Sequence, residues 1–321
     1  MGSPATAGTP LPGYTAARER LAHRIRTSAI LDVTGVDRVA FLQGQLTQEM
    51  KSLEPGDARA VAGLTSKGKL LFVARAVGLP DAVRLLAPAV LRASILEHLR
   101  KYVLASRVAI EDRSDDVVHV GLYGPGASGL RVPMDGLLIP GEGEFAVEIV
   151  LPTARHGELE ALLEAAGSEP LAEEAAEILR VEAGRPRFGA DMDGSNLPDE
   201  VGMSDAISTS KGCYVGQEVV ARLRTYGRVN RRLVGFRFPE GTIGAGTTLR
   251  RTEEEDAEPS RTEAGRVTSA VVSPTFGPIG LGYAFRDVEI GATLFPVFGG
   301  GCLVPPPPPE ERAIVTALPF E

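Results

Sequence analysis

The residues best equipped for chemistry fall in one octapeptide, Lys211-Gly212-Cys213-Tyr214-Val215-Gly216-Gln217-Glu218. A cation, a thiol, an amide and a carboxylate lie within it, and its two glycines permit a tight turn and close approach of the backbone to a ligand. Cys213 has two readings. Partly exposed, with Lys211 and nearby arginines lowering its pKa, it is a thiol able to bind a metal cluster transiently or form a mixed disulfide. Buried, it is a small apolar residue filling a turn. Residues 207–210 read as an extended approach to the turn, and 219–223 as the strand or helix that leaves it.

Arg222, Arg224, Arg228, Arg231 and Arg232 follow, and with Lys211 they make six cations in 22 residues, with Glu218 the only acid. In a chain of net charge −8, such a run would draw an anionic ligand, for example a glutamyl tail. The alternative is a solvated basic face that pairs with carboxylates elsewhere. The same net charge argues against general nucleic-acid affinity. The two cysteines, Cys213 and Cys302, and the four scattered histidines give no zinc spacing and no disulfide framework, so no metal site is expected and a reducing cytoplasm fits. No apolar run approaches the roughly 18 residues of a membrane span, and the opening residues lack the order of a secretory signal.

These residues need a scaffold, and the apolar pattern outlines one. Residues 30–36 read as a strand ending at Gly35, with Asp37 as the N-cap of a helix carrying Val39, Leu42 and Leu46 on one face. Residues 70–77 and 82–86 read as strands joined by a turn at 78–81. A helix over 90–101 and a strand at 108–110 follow. The order then repeats: strands at 117–122 and 145–151, a helix over 154–166 with Gly167 past its end, and a second helix over 172–183. No repeat is visible in the residues themselves. After about residue 230 the chain turns Gly- and Thr-rich, with short strands at 234–238, 265–272 and 279–284, as in a small barrel. Residues 253–256 read as a solvated hairpin tip, and 305–309 as an extended proline run. The expected organisation is a flexible tail over 1–22, an α+β region over 23–230 and a barrel over 231–321.

The octapeptide resembles the signature of the YgfZ-type folate-binding proteins, relatives of the aminomethyltransferase (T-protein) of glycine cleavage. Other segments resemble that family in the same order: Gly35-Val36-Asp37 with Phe41 to Thr47, Thr65-Ser66-Lys67-Gly68-Lys69, Leu99 to Val103 with Ser106 to Val108, Arg180 to Pro186, Gly265 to Ser269, and Leu281-Gly282-Tyr283. The resemblance spans about residues 25–295. It implies two intertwined ferredoxin-like α+β units with antiparallel sheets and a C-terminal β-barrel, arranged around a central folate pocket.

It also implies tetrahydrofolate or a derivative as cofactor, iron–sulfur client or assembly proteins as partners, and a cytoplasmic role in assembling or repairing iron–sulfur proteins. Within it, Cys213 and Lys211 are the candidate working pair, and Tyr214, Gln217, Glu218 and Arg222 the candidate folate contacts. Glu144, in Gly143-Glu144-Phe145-Ala146-Val147-Glu148-Ile149, matches the family's pterin-binding stretch, where a carboxylate can accept two ring N–H bonds. An ordinary loop glutamate is the alternative. One departure bears on activity. The transferase's catalytic aspartate pair has no counterpart in Gly68-Lys69-Leu70-Leu71-Phe72-Val73, so turnover is not expected. Two alternatives stay open. One is a folate-dependent aminomethyltransferase or one-carbon enzyme, with Asp191, Asp193 or Glu200 supplying the acid. The other is a tRNA-modification factor using the arginines, although Tyr226 is the only aromatic among them to stack on bases.

Overall fold

The computed structural model describes residues 11–104, 106–132, 136–141, 144, 146–239, 241, 243–252, 263–297 and 312–321. Cys302, the acidic tip at 253–256, the proline run at 305–309 and the neighbours Gly143 and Phe145 of Glu144 lie outside them.

The chain opens with α1 (Tyr14–Glu19), β1 (Ala22–Arg26), β2 (Ser28–Thr34), α2 (Arg38–Gln45), β3 (Ala58–Leu64), β4 (Leu70–Gly78), β5 (Ala82–Pro88), α3 (Arg92–Tyr102) and β6 (Ala109–Asp112). It continues through β7 (Val117–Tyr123), β8 (Leu137–Pro140), β9 (Val147–Pro152), α4 (His156–Ala165), β10 (Glu169–Pro170), α5 (Glu173–Glu182) and α6 (Gln217–Tyr226). The barrel strands are β11 (Arg231–Arg237), β12 (Thr248–Arg250), β13 (Glu263–Ser273), β14 (Gly277–Phe285), β15 (Thr293–Val297) and β16 (Ala313–Thr316).

Two five-stranded sheets result, ordered β3-β4-β5-β2-β6 and β10-β1-β7-β9-β8. All pairs are antiparallel except β1 with β10. The units are intertwined because β1 pairs with β7 in the second sheet, while β2, one residue later, pairs with β5 in the first. Strands β2 and β4 are apolar on both faces for a physical reason. One side of the first sheet packs on Leu42 of α2, Leu46 just past its end, and Ile95 and Leu99 of α3. Ile30, Val77 and Leu86 on its other side meet Ile139 and Val150 of the second sheet. Each such side chain taken fully from water contributes on the order of 1.5–3 kcal/mol. Helix α4 covers the second sheet through Leu159 and Leu163.

The last six strands close into a barrel ordered β11-β14-β13-β12-β15-β16, filled by Val234, Phe236, Leu249, Val267, Leu294 and Val315. It docks on α5, where Val181 packs with Ile279, Leu281 and Phe320, and the Phe320 N–H donates to the Glu182 carbonyl.

Two expectations need correction. The expected flexible tail over 1–22 does not hold for its described part: Tyr14, Ala16 and Ala17 are buried in α1, and the Tyr14 hydroxyl donates to buried Glu182 at 2.6 Å. Asp37 stands at the start of α2 but makes no side-chain cap, because its backbone (φ −94°, ψ 4°) lies outside the extended region a cap uses. Its carboxylate accepts instead from the Arg107 N–H at 2.8 Å and pins the lead-in to β6.

Candidate functional site

Helix α2 ends at Gln45, and its last carbonyls point away from the helix with no partners of their own. Lys211 supplies them. Its buried ammonium donates to the carbonyls of Gln43 (2.7 Å), Leu46 (2.6 Å) and Gln48 (2.9 Å). Cation and helix C-terminus are also matched in charge. The ammonium sits 5.1 Å from the centre of the Tyr214 ring. Burial pulls the Lys211 pKa down to about 8, with Glu49 opposing. All three N–H groups are thereby committed. Lys211 positions the turn and does not serve as the cation that faces the Cys213 thiol, which corrects the expected pairing.

The turn is fixed from its other end by Gly216, at φ +83°, where an added Cβ would lie 2.5 Å from the Thr65 carbonyl oxygen. That oxygen belongs to the β3–β4 turn, whose Gly68 packs under Val219 of α6. Between these anchors the Val215 N–H donates to the Gly44 carbonyl at 3.2 Å. Buried Thr47 ties in the approach: its hydroxyl donates to the Ala206 carbonyl, and its own carbonyl accepts from the Ser208 N–H. Cys213 is left on the outside as an exposed thiol beside exposed Gly212. The buried alternative for this cysteine therefore does not hold.

The other expected residues divide. Tyr214 is buried in the main core, with burial raising its hydroxyl pKa, so its ring is a packing element. Gln217 opens α6 and is half-buried, while Glu218 and Arg222 stand exposed one turn apart. Residues 219–223 are helical, and Val220 is the buried residue of α6. Of the six cations, three serve the fold besides Lys211's capping. Arg224 pairs with Asp199 at 2.8 Å and Arg231 with Glu200 at 3.2 Å, while Arg232 donates to the carbonyls of Arg286 and Val288.

Glu144 lies elsewhere, on the connection between β8 and β9. Burial raises its pKa, with a backbone hydrogen bond and the charges of Arg26, Arg185 and Arg180 opposing, and its own charge adds to burial in raising that of Tyr123. The three arginines come from β1, α5 and the segment just after α5, and no hydrogen bond or ion pair among the described residues joins Glu144 to the octapeptide. The residue is half-buried, and the charges of three arginines favour its ionised form.

A nearby cluster escaped the sequence reading. Glu148 of β9 accepts from Arg75 (2.6 Å) and pairs with His119 (2.8 Å), whose other ring nitrogen meets the Ser28 hydroxyl at 2.8 Å. These contacts hold the Glu148 carboxyl down at about 2, while burial keeps His119 low. Its members are scattered across β2, β4, β7 and β9, so no local spacing marks them. Asp191, one carboxylate suggested for transfer chemistry, is buried with one oxygen on Arg180 and the Arg187 N–H and the other on Thr268 and Ser269. Glu200, another, accepts from Arg231, Asn196 and the Leu197 N–H. Asp193 is exposed, its pKa lowered by the hydrogen bonds of Ser195.

No family model matches the chain. Among curated proteins it is 29% identical to the tRNA-modifying protein YgfZ of Serratia proteamaculans, over 76% of this chain and 77% of that protein. It is 28% identical to an aminomethyltransferase of Rubrobacter xylanophilus, over 98% of this chain and 89% of the relative. A putative chloroplastic transferase of Arabidopsis thaliana is 29% identical over 64% of this chain, which spans about half (53%) of that relative's length. The fold matches the crystal structure of the glycine cleavage aminomethyltransferase T of Bartonella henselae with a TM-score of 0.82 and 22% identity, over 99% of this chain and 93% of the other. No helix among the described residues is long and apolar enough to cross a membrane. The intertwined sheets and the appended barrel are thus the fold of an aminomethyltransferase, and in sequence the chain is similar to YgfZ-type proteins and aminomethyltransferases alike.

Proposed function

We propose that this chain binds a reduced folate without transferring an aminomethyl group, and supports assembly or repair of iron–sulfur proteins in a reducing cytoplasm, with Cys213 as the thiol that meets the client. The observation that carries this reading is the exposed thiol on a turn held rigid at both ends, by the Lys211 ammonium on one side and Gly216 on the other. A thiol that served only packing would not be lifted to the surface by so many buried contacts. The half-buried Glu144 carboxyl offers a partner for ring N–H donors of a pteridine. Asp191 and Glu200 are committed to the scaffold, and residues 68–73 contain no carboxylate. These facts weigh against transfer.

Titration of the purified chain with tetrahydrofolate tests the folate half. Saturable binding that weakens at least tenfold in Glu144→Ala is expected; equal binding by both would remove Glu144 from the site. In cells, Cys213→Ser should lower iron–sulfur enzyme activity while leaving the protein's abundance unchanged. An aminomethyltransferase is the second reading, favoured by likeness to such enzymes along nearly the whole chain. Production of methylenetetrahydrofolate from an aminomethyl-lipoyl carrier by the purified chain would establish it in place of the first.

A further inference from the structure

Helix α6 runs from the thiol-bearing turn to a second feature. At its far end a cleft of about 410 Å³ opens between the helix and the barrel, lined by Leu223, Arg224, Arg228, Val229, Arg232 and Arg286 among others. It is continuous through Gly227, Arg228 and Arg286 with a wider groove of about 680 Å³ bordered by Tyr226 and Asp287. The lining is net positive, with Arg224, Arg228, Arg232 and Arg286 set against Asp199 and Asp287. Asp199 gives one oxygen to Arg224 and keeps the other without a hydrogen-bond partner among the described residues, and Asp287 pairs with Arg251. Arg232 is held by backbone carbonyls. Arg228 and Arg286 line the opening and make no side-chain hydrogen bond or ion pair among the described residues, although the Arg286 charge also acts on neighbouring Asp287. Tyr226 stands 88% exposed at the rim, and Leu223 and Val229 supply an apolar floor.

We propose that this cleft docks an acidic segment of a protein partner, two or more carboxylates in an extended stretch, and that α6 sets how far that segment lies from Cys213. Planar guanidinium forks match carboxylates, and a chain of net charge −8 has reason to concentrate free cations only where an anion arrives. A shallow groove with an apolar floor and an aromatic rim fits peptide better than a lone inorganic ion. The ten residues of α6 span roughly 15 Å, which is about four to five residues of extended chain. The outer face between is open: Glu218, Ala221, Arg222 and Thr225 are exposed along it. A partner seated by its acidic stretch thus brings a side chain about four to five residues away over the thiol. This deepens the client-binding side of the reading above and does not require folate.

The test uses the full chain and a rhodamine-labelled peptide carrying four consecutive glutamates. Anisotropy should report binding that weakens at least tenfold in Arg228→Glu and in Arg286→Glu, and less than twofold in Arg131→Glu, an exposed charge control. Equal loss in all three variants overturns the cleft. So does equal occupancy by inorganic phosphate, or tighter binding of an oligonucleotide with the same arginine dependence. A second measurement reads the spacing, in a Cys302→Ser background. The peptide carries a thiopyridyl disulfide either next to the glutamates or five residues from them. The Cys213 thiolate attacks the peptide sulfur, the old S–S bond breaks, and thiopyridine leaves with the electron pair and takes a proton. Faster release from the distant position, lost in Arg228→Glu, is expected; equal rates from both positions overturn the spacing. Either failure leaves the tetrahydrofolate titration unaffected, so the two readings fail separately.

Discussion

A half-buried acid and an immobilised lysine divide the labour at the smallest scale. Glu144 is disfavoured as a carboxylate by burial, and the arginines around it only partly offset this. Its folded pKa is raised above its unfolded value. The stability this gives is therefore fully present below the unfolded pKa, and it is lost as pH rises through the folded one. Glu144→Gln should match the parent in urea unfolding near pH 4 and exceed it at pH 8. A pteridine offering two N–H donors needs the ionised form, so folate affinity of the parent should rise with pH and binding should release a proton. A Glu144→Gln chain that is less stable than the parent at pH 8 would contradict this. Burial disfavours the charge of Lys211 as well, and three backbone carbonyls accept from its ammonium. The sequence showed Lys211 and Cys213 two positions apart and invited a pairing. The carbonyls at and just past the end of α2, some 165 positions away, are what the ammonium meets, and no local spacing encodes them.

Turns and helix starts decide what the elements present. Gly216→Ala would have to adopt φ +83° and place a methyl carbon 2.5 Å from the Thr65 oxygen. A cost of about 1–3 kcal/mol is expected from the left-handed backbone alone, more from the clash. A fall in the thermal midpoint, with altered alkylation of Cys213, is the signature; an unchanged midpoint would show that the turn is not held there.

Much at this scale was legible. The hairpin of β4 and β5, helices α3 to α5 and the onset of the barrel follow from apolar period and turn residues. Strands β1 and β3 were missed because His23, Arg24 and Arg26, and Ala58 to Ala60, dilute the alternation a strand needs. The repeat was missed for a different reason. Strand β5 ends in Pro88, a single 3-10 turn and α3; strand β9 ends in Pro152, a single 3-10 turn and α4. Both prolines hold nearly the same backbone angles (φ −53° and −56°). The proline and the apolar face are what the two passages share, too little for a repeat to show in the residues.

Across the molecule, the barrel is joined to the sheets through buried polar contacts. Asp191 links Arg180 of α5 to Thr268 and Ser269 of β13, and Tyr283 of β14 donates to the Asp191 carbonyl. Breaking one partner of such a pair costs about 3–5 kcal/mol, since the remaining charge stays buried. Asp191→Asn should therefore make the barrel unfold before the sheets in a denaturant titration. A single shared transition at the parental midpoint would argue that the join lies elsewhere. Nothing in the local sequence marks Asp191 as a joint, because its partners come from both sides of the octapeptide.

The placement of β1 also governs how the chain can be made. Emerging from a ribosome, this strand finds no neighbour until Val117–Tyr123 has followed, because β2 has already committed to the other sheet. The first sheet closes earlier and leaves the leading strand waiting as an unpaired edge. No single cut through the gene ahead of the barrel would therefore yield two self-sufficient pieces.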